Sequence, residues 1–275
     1  MKSYRCRKVS LAELCRGGLR LSRACCWEWE MTKRKVLIVG DSHVYAIKAA
    51  VDKIADHKSE FEFVALRLST EKNGEKIGDI DLPDLLVAAA DLRRDDALVT
   101  TLRGNEYNIM GLMRHPRPFD IMIPGLVDLP ADTYEELIPY ATAYSFMFAS
   151  LKRGHGKQLL RIAKASAAPV FCLSAPAPKE DEAHILRGAD TYFRNAGISE
   201  IGVSPAPLRL KLWELQDRAL AKFCAEAQVT FLPNPPGTRE AGGYLERAYY
   251  AGDATHANAA YGRLVLDQIA VTLMN

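Results

Sequence analysis

The sequence predicts an α/β fold in which a parallel sheet is covered by helices on both faces. Two observations lead there. Short apolar runs of strand length alternate along the chain with longer segments of helical periodicity, and strands separated by helices pair in parallel. At 275 residues, with 48% hydrophobic and 25% charged side chains, the chain is also long enough to bury the core that such a sheet needs. No internal repeat or low-complexity tract interrupts the pattern.

The first strand is Val36–Val39, within "KRKVLIVGDSHVYAIKAA". It stops at Gly40-Asp41-Ser42-His43, and a helical pattern restarts over Val44–Ala55. Strands Phe61–Leu68 and Ala97–Leu102 flank a helix at Pro83–Leu92, and Phe119–Ile123 is a possible sixth strand. Thr133–Ser166 reads as helix, broken near Gly154-His155-Gly156 because two glycines that close destabilise a helix. Val170–Ser174 follows as a strand. Pro207–Ala227 is a helix whose Leu212, Leu215, Ala219 and Phe223 recur at helical spacing and should face the core. Strand Val229–Leu232 and helix Ala257–Leu273 complete the order. Two long stretches break the rhythm, 105–130 and 175–207. Both follow strands, so both belong at the carboxyl edge of the sheet, where open α/β folds bind ligands.

Residues 1–30 differ from the rest. They hold seven Lys/Arg, three Asp/Glu and four of the six cysteines, with no apolar run long enough for a signal sequence or a membrane span. They read as a basic extension, disordered or a misread start, with 31–275 as the folded domain. The net charge is +2, so with +4 in the extension the body has no basic bias toward nucleic acid. Cys172 and Cys224 alone form neither a disulfide framework nor a zinc spacing, which favours a cytoplasmic setting and no metal or other cofactor.

Three readings compete for Ser42. A phosphate cradle needs G-x-G-x-x-G or G-x-x-x-x-G-K-[ST], and neither follows the first strand. A helix cap, from Asp41 or Ser42, is the plain structural reading. A nucleophile needs a base, an orienting group and oxyanion donors elsewhere in the chain. Such partners are present. "YYAGDATHANAAYG" places Asp253 and His256 three residues apart before the last helix, a spacing that lets the carboxylate turn back to the imidazole Nδ1. "LVTTLRGNEYN" places Asn105 at the end of the third strand, where its side-chain amide could donate to an oxyanion.

Gly40-Asp41-Ser42, Gly104-Asn105 and Asp253-Ala254-Thr255-His256 resemble, in order and in place, the blocks of the SGNH (GDSL-type) hydrolase family. The resemblance spans residues 36 to about 270. It implies a three-layer α/β/α flavodoxin-like sheet and serine esterase chemistry on a small acyl ester, such as an acylated sugar. Ser42 is then the nucleophile, His256 the base and Asp253 its orienter. The oxyanion donors are the Ser42 amide, the Asn105 side chain and a glycine amide after the second strand. Gly74 and Gly78 both compete for that last role, and Gly78 is preferred as nearer the next helix. The third block reads Gly104-Asn105-Glu106 rather than Gly-x-Asn-Asp, and His43 stands where leucine is commoner. Alternatives on the same fold are an acyltransferase and a non-hydrolytic carbohydrate- or acyl-binding module. His115 and His184, in the two long stretches, are further candidates to touch substrate. Tyr107, Met110, Met113 and Phe119 are candidates for an apolar wall.

Overall fold

The computed structural model describes residues 33–53, 60–72, 74–101, 105–126, 134–153 and 155–275. Strand β1 (Arg34–Gly40) carries Val36, Leu37, Ile38 and Val39, none more than 2% exposed. Successive strand residues point to opposite faces, so the sheet must be covered on both. Helix α1 (Val44–Val51) follows, then β2 (Phe61–Arg67), a hairpin of β3 (Thr70–Lys72) and β4 (Glu75–Ile77), α2 (Leu82–Ala90) and β5 (Ala97–Thr101). The next stretch contains α3 (Glu106–Gly111), β6 (Phe119–Ile121), β7 (Glu136–Ile138), α4 (Tyr140–Arg153) and α5 (His155–Ala165). Strand β8 (Val170–Leu173), three short helices α6 (Glu182–Arg187), α7 (Thr191–Asn195) and α8 (Ile198–Ile201), then α9 (Ala206–Glu226), β9 (Thr230–Leu232) and α10 (Ala259–Met274) complete the chain.

The main sheet has the order β2-β1-β5-β8-β9, parallel throughout. This is the three-layer, flavodoxin-like α/β/α arrangement. The chain moves outward from β1 to β2 and then returns to β5 on the other side of β1. The switch point therefore lies between β1 and β5, and their carboxyl ends are in register at Gly40 and Thr101. A Cβ on Gly40 would lie 1.7 Å from Thr101 Oγ1, so only glycine fits there. Ser42 leaves the sheet two residues later.

On one layer α1 and α10 pack together closely enough that a Cβ on Gly262 would lie 2.0 Å from the Ala46 carbonyl oxygen. In the other, α9 packs on α3 and α4, and α5 on α2 and α4. Leu212, Leu215, Ala219 and Phe223 of α9 are all buried, as their spacing predicts. The same helix also buries polar groups. Lys211 Nζ donates to both oxygens of Asp120 at 2.9 and 2.8 Å, joining α9 to β6, and Gln216 Oε1 accepts from the Tyr107 amide of α3.

Several elements differ from the sequence reading. Phe119–Ile121 does not join the main sheet but pairs with Glu136–Ile138 in a separate parallel ribbon. That ribbon occupies the start of the predicted Thr133–Ser166 helix, where Pro139 precedes α4. The two long stretches are not plain loops, since they hold α3 and α6 to α8. The extension 1–30, Leu102, Gly104, Thr133 and Gly154 lie outside the described residues.

Gly262→Ala forces backbone against backbone between α1 and α10, so it should destabilise the protein by about 1–3 kcal/mol, as overpacking does. Gly252→Ala, which meets nothing within 4 Å, should stay within about 0.5 kcal/mol of wild type. Urea unfolding of the two variants checks the contrast.

Candidate active site

The turn after β1 is built by its backbone. Val44 and Tyr45 donate to the carbonyls of Asp41 and Ser42, and His43 occupies the helix N-cap position without a side-chain cap bond. Neither Asp41 nor Ser42 is therefore the N-cap residue of α1. Ser42 Oγ points instead to the loop before α10, where it lies 2.7 Å from His256 Nε2. His256 Nδ1 lies 2.9 Å from Asp253 Oδ2. An ionised carboxylate only accepts, so Nδ1 carries the proton and Nε2 presents a lone pair to the serine hydroxyl.

The sequence builds this loop locally. Asp253 Oδ1 accepts from the amides of Thr255 and His256 at 2.9 and 2.7 Å, so one carboxylate both turns the backbone and orients the imidazole. Tyr250 bridges to Ala257 and the Ala251 amide donates to the His256 carbonyl, which closes the loop on itself. Asn258 caps α10 through Ala260 and Tyr261, and its Nδ2 reaches back to the carbonyls of Ala248 and Tyr250. Burial opposes ionisation of Asp253. The His256 side chain and the two loop amides outweigh that and hold the carboxyl well below the usual range.

Asn105 sits at the N-cap position of α3, and its Oδ1 accepts from Asn108 Nδ2 at 2.8 Å. That bond uses Asn105 Oδ1 and leaves its Nδ2 as a donor. Asn108 was not singled out by the sequence, although its i+3 spacing from Asn105 at a helix start is a readable signal. The two glycine candidates differ in kind. Gly74 is the turn of the β3–β4 hairpin at φ 79°, with open space around it. Gly78 follows β4 at φ 143°, where a Cβ would lie 2.4 Å from Ser69 Cα.

His43 is the unexpected neighbour. Its ring centroid is 5.0 Å from that of His256, and the residue is only 8% exposed. With Thr101, Ser174 and Tyr261 it lines a small cavity of about 20 Å³ beneath the turn. Burial, and then the nearby His256, push its pKa down to about 3, against a smaller opposing pull from Asp253. His43 is thus a neutral wall behind His256.

Of the remaining candidates, His184 approaches this loop rather than a substrate cleft. Its Nε2 lies 2.9 Å from the Ala251 carbonyl oxygen. His115 is exposed, with Nδ1 2.8 Å from the Arg117 carbonyl oxygen. Tyr107 is core, donating its hydroxyl to the Pro176 carbonyl, so it forms no part of an apolar wall. Met110 packs against the main core, and Met113 against a second small cluster around Leu112 and Phe193. Phe119 lines a separate surface pocket with Arg114 and Leu208. The sequence reading passed over Gly188. A Cβ there would lie 2.7 Å from the Gly252 carbonyl oxygen, and the Gly188 carbonyl accepts from Ala254, so α6 abuts the Asp253 loop.

A histidine kept neutral in the fold but protonated in the unfolded chain makes stability fall as pH drops from about 6.5 toward 3. His43→Leu should flatten that slope in urea unfolding measured from pH 7 to 4. In the wild type, the His43 ring resonances should stay at their neutral positions over the same range.

No protein-family model and no curated protein sequence matches the chain. Solved structures do align. A carbohydrate acetylesterase from Sinorhizobium meliloti is 15% identical, with 88% of this chain and 99% of that one covered at a TM-score of 0.42. An aryl esterase of M. smegmatis is 13% identical, with 88% and 98% covered at 0.42. The periplasmic domain of a lipopolysaccharide acetyltransferase from Salmonella ser. Paratyphi A is 10% identical, with 89% and 85% covered at 0.49. Identities and scores this low leave function to the chain's own residues. In its α/β/α fold and in the places of its Gly-Asp-Ser, Asn and Asp-x-x-His blocks, the chain resembles the SGNH (GDSL-type) hydrolases.

Proposed function

We propose that the protein is a serine hydrolase of the SGNH type that cleaves a carboxylic ester through an acyl-enzyme intermediate. The observation that carries this reading is the unbroken chain of contacts from Ser42 Oγ to His256 Nε2 and from His256 Nδ1 to Asp253. Ser42 and the Asp253–His256 pair, more than two hundred positions apart, meet in the order that serine activation requires.

Ser42 Oγ attacks the acyl carbonyl carbon while its proton passes to His256 Nε2. Asp253 stays ionised and stabilises the imidazolium. The tetrahedral oxyanion is held by the Ser42 amide, Asn105 Nδ2 and a glycine amide, for which Gly78 is the choice. Collapse expels the alkoxide, which takes the proton from His256 and leaves as the alcohol. Water then attacks the acyl-serine, giving its proton to His256, and the carboxylic acid departs as Ser42 is regenerated. An alcohol in place of water would make the same site a transferase. The substrate is a small ester, with an acylated sugar as one candidate. The two body cysteines, Cys172 and Cys224, are free and buried, which suits a reducing, cytoplasmic setting. Among the described residues, no helix is long and apolar enough to cross a membrane.

Hydrolysis of p-nitrophenyl acetate through octanoate, with Ser42→Ala as control, tests the reading. Turnover should vanish in the variant, and a fluorophosphonate probe should label Ser42 alone. Ester binding without turnover in the wild type would favour the binding module. Asn105→Ala should lower kcat by about 10²–10³ with little change in KM, because its donor acts on the charged intermediate. A change in KM alone would make Asn105 a binding residue. His256 must accept the serine proton, so His256→Ala should abolish turnover. Asp253→Asn should slow turnover strongly without unfolding the protein, since the amide can favour the wrong tautomer.

A further inference from the structure

Lys179 ends a run, Val170–Lys179, in which every residue is buried, and it is itself only 2% exposed. Its ammonium has no carboxylate partner at bonding distance among the described ion pairs. Instead Nζ donates to the carbonyl oxygens of Ala251 and Asp253, at 2.8 and 2.5 Å, and lies 3.2 Å from His184 Nε2. His184 Nε2 faces the same two carbonyls at 2.9 and 3.2 Å. The Tyr250 ring covers the group, with its centroid 5.0 Å from Nζ and 5.1 Å from the His184 ring. His184 Nε2 donates to those carbonyls, so the two carbonyls are the acceptors that make the costly burial of an ammonium tolerable.

The two carbonyls flank Gly252, and one belongs to Asp253, whose side chain orients His256. We propose that Lys179, braced by His184, is a positioning residue that fixes the backbone of the Asp253 loop and thereby the register of Asp253 on His256. Lys179 touches neither Ser42 nor His256 in any described contact, so it acts through the loop. This proposal rests on the serine-hydrolase reading.

The charge count gives the clamp a pH signature. A charged ammonium bonds the Ala251 and Asp253 carbonyls more strongly than the neutral amine does. Desolvation pushes the Lys179 pKa down to about 8, with Asp253 pulling the other way. Besides Asp253, His184 and Tyr250 face the amine, and Arg209 donates to the Lys179 carbonyl from α9. Loss of the charge should loosen the loop, so kcat should decline as pH rises through about 8.

The test compares wild type, Lys179→Met and His184→Phe on a p-nitrophenyl ester from pH 6 to 10, with Ser42 labelling by fluorophosphonate measured alongside. Lys179→Met should lower kcat and the labelling rate at least tenfold at pH 7, leave KM within about twofold, and lack the decline near pH 8. The downfield proton resonance of the His256–Asp253 bond should shift or broaden in the variant. His184→Phe should give a smaller loss and a wild-type-like resonance. A wild type that is neither labelled nor active would overturn the hydrolase reading. Where the wild type is active, unchanged kcat and an unchanged resonance in Lys179→Met overturn the clamp. If Lys179→Met fails to fold, wild-type kcat that stays flat from pH 7.5 to 9.5 does so as well.

Discussion

The site depends on the close approach of β1 and β5 at their carboxyl ends. Gly40 lies in register with Thr101 and leaves no room for a Cβ, so the two strands end together. Because the chain reverses its direction of sheet growth between them, the turn after β1 opens onto the crevice that such a reversal creates. Ser42 follows β1, and Asn105 stands at the start of α3, the helix that comes after β5. A bulkier residue at position 40 would separate the strands that position them.

Around the crevice, three ionisable groups are displaced from their ordinary behaviour, each by a different balance. Asp253 is held ionised because hydrogen bonds from His256 and two amides outweigh its burial. His43 is held neutral because burial dominates, so it places no positive charge beside His256. Lys179 is bonded to two backbone carbonyls, while desolvation lowers its pKa to about 8 against the pull of Asp253. Such a cluster of opposed shifts is characteristic of sites that move protons.

The long helix α9 ties the carboxyl-edge segments to the body. Gln216 holds the start of α3, and Lys211 holds the β6 strand. Arg209 donates to the carbonyls of Lys179 and Glu180. The Trp213 indole donates to the Ala175 carbonyl. These bonds take up backbone groups that the irregular segments after β5 and β8 would otherwise bury unpaired. The segment carrying Lys179 is thereby fixed before it reaches the Asp253 loop.

By itself, the sequence determined what local pattern can determine. The apolar runs at Val36–Val39 and Val170–Leu173, the spacing within α9, and the Asp-x-x-His turn are short-range features whose physics is complete within a few residues. Tertiary structure decided everything that needed two distant segments. Phe119–Ile123 reads as a possible strand, but only the fold shows that Phe119–Ile121 pairs with Glu136–Ile138 and not with the main sheet. Lys179 reads as an ordinary charged residue until the chain returns seventy residues later to place two carbonyls on it. His43 reads as a helix-start residue, and its neutrality follows from burial beside His256. Local propensity is encoded in neighbours along the chain, whereas burial and charge balance are properties of neighbours in space.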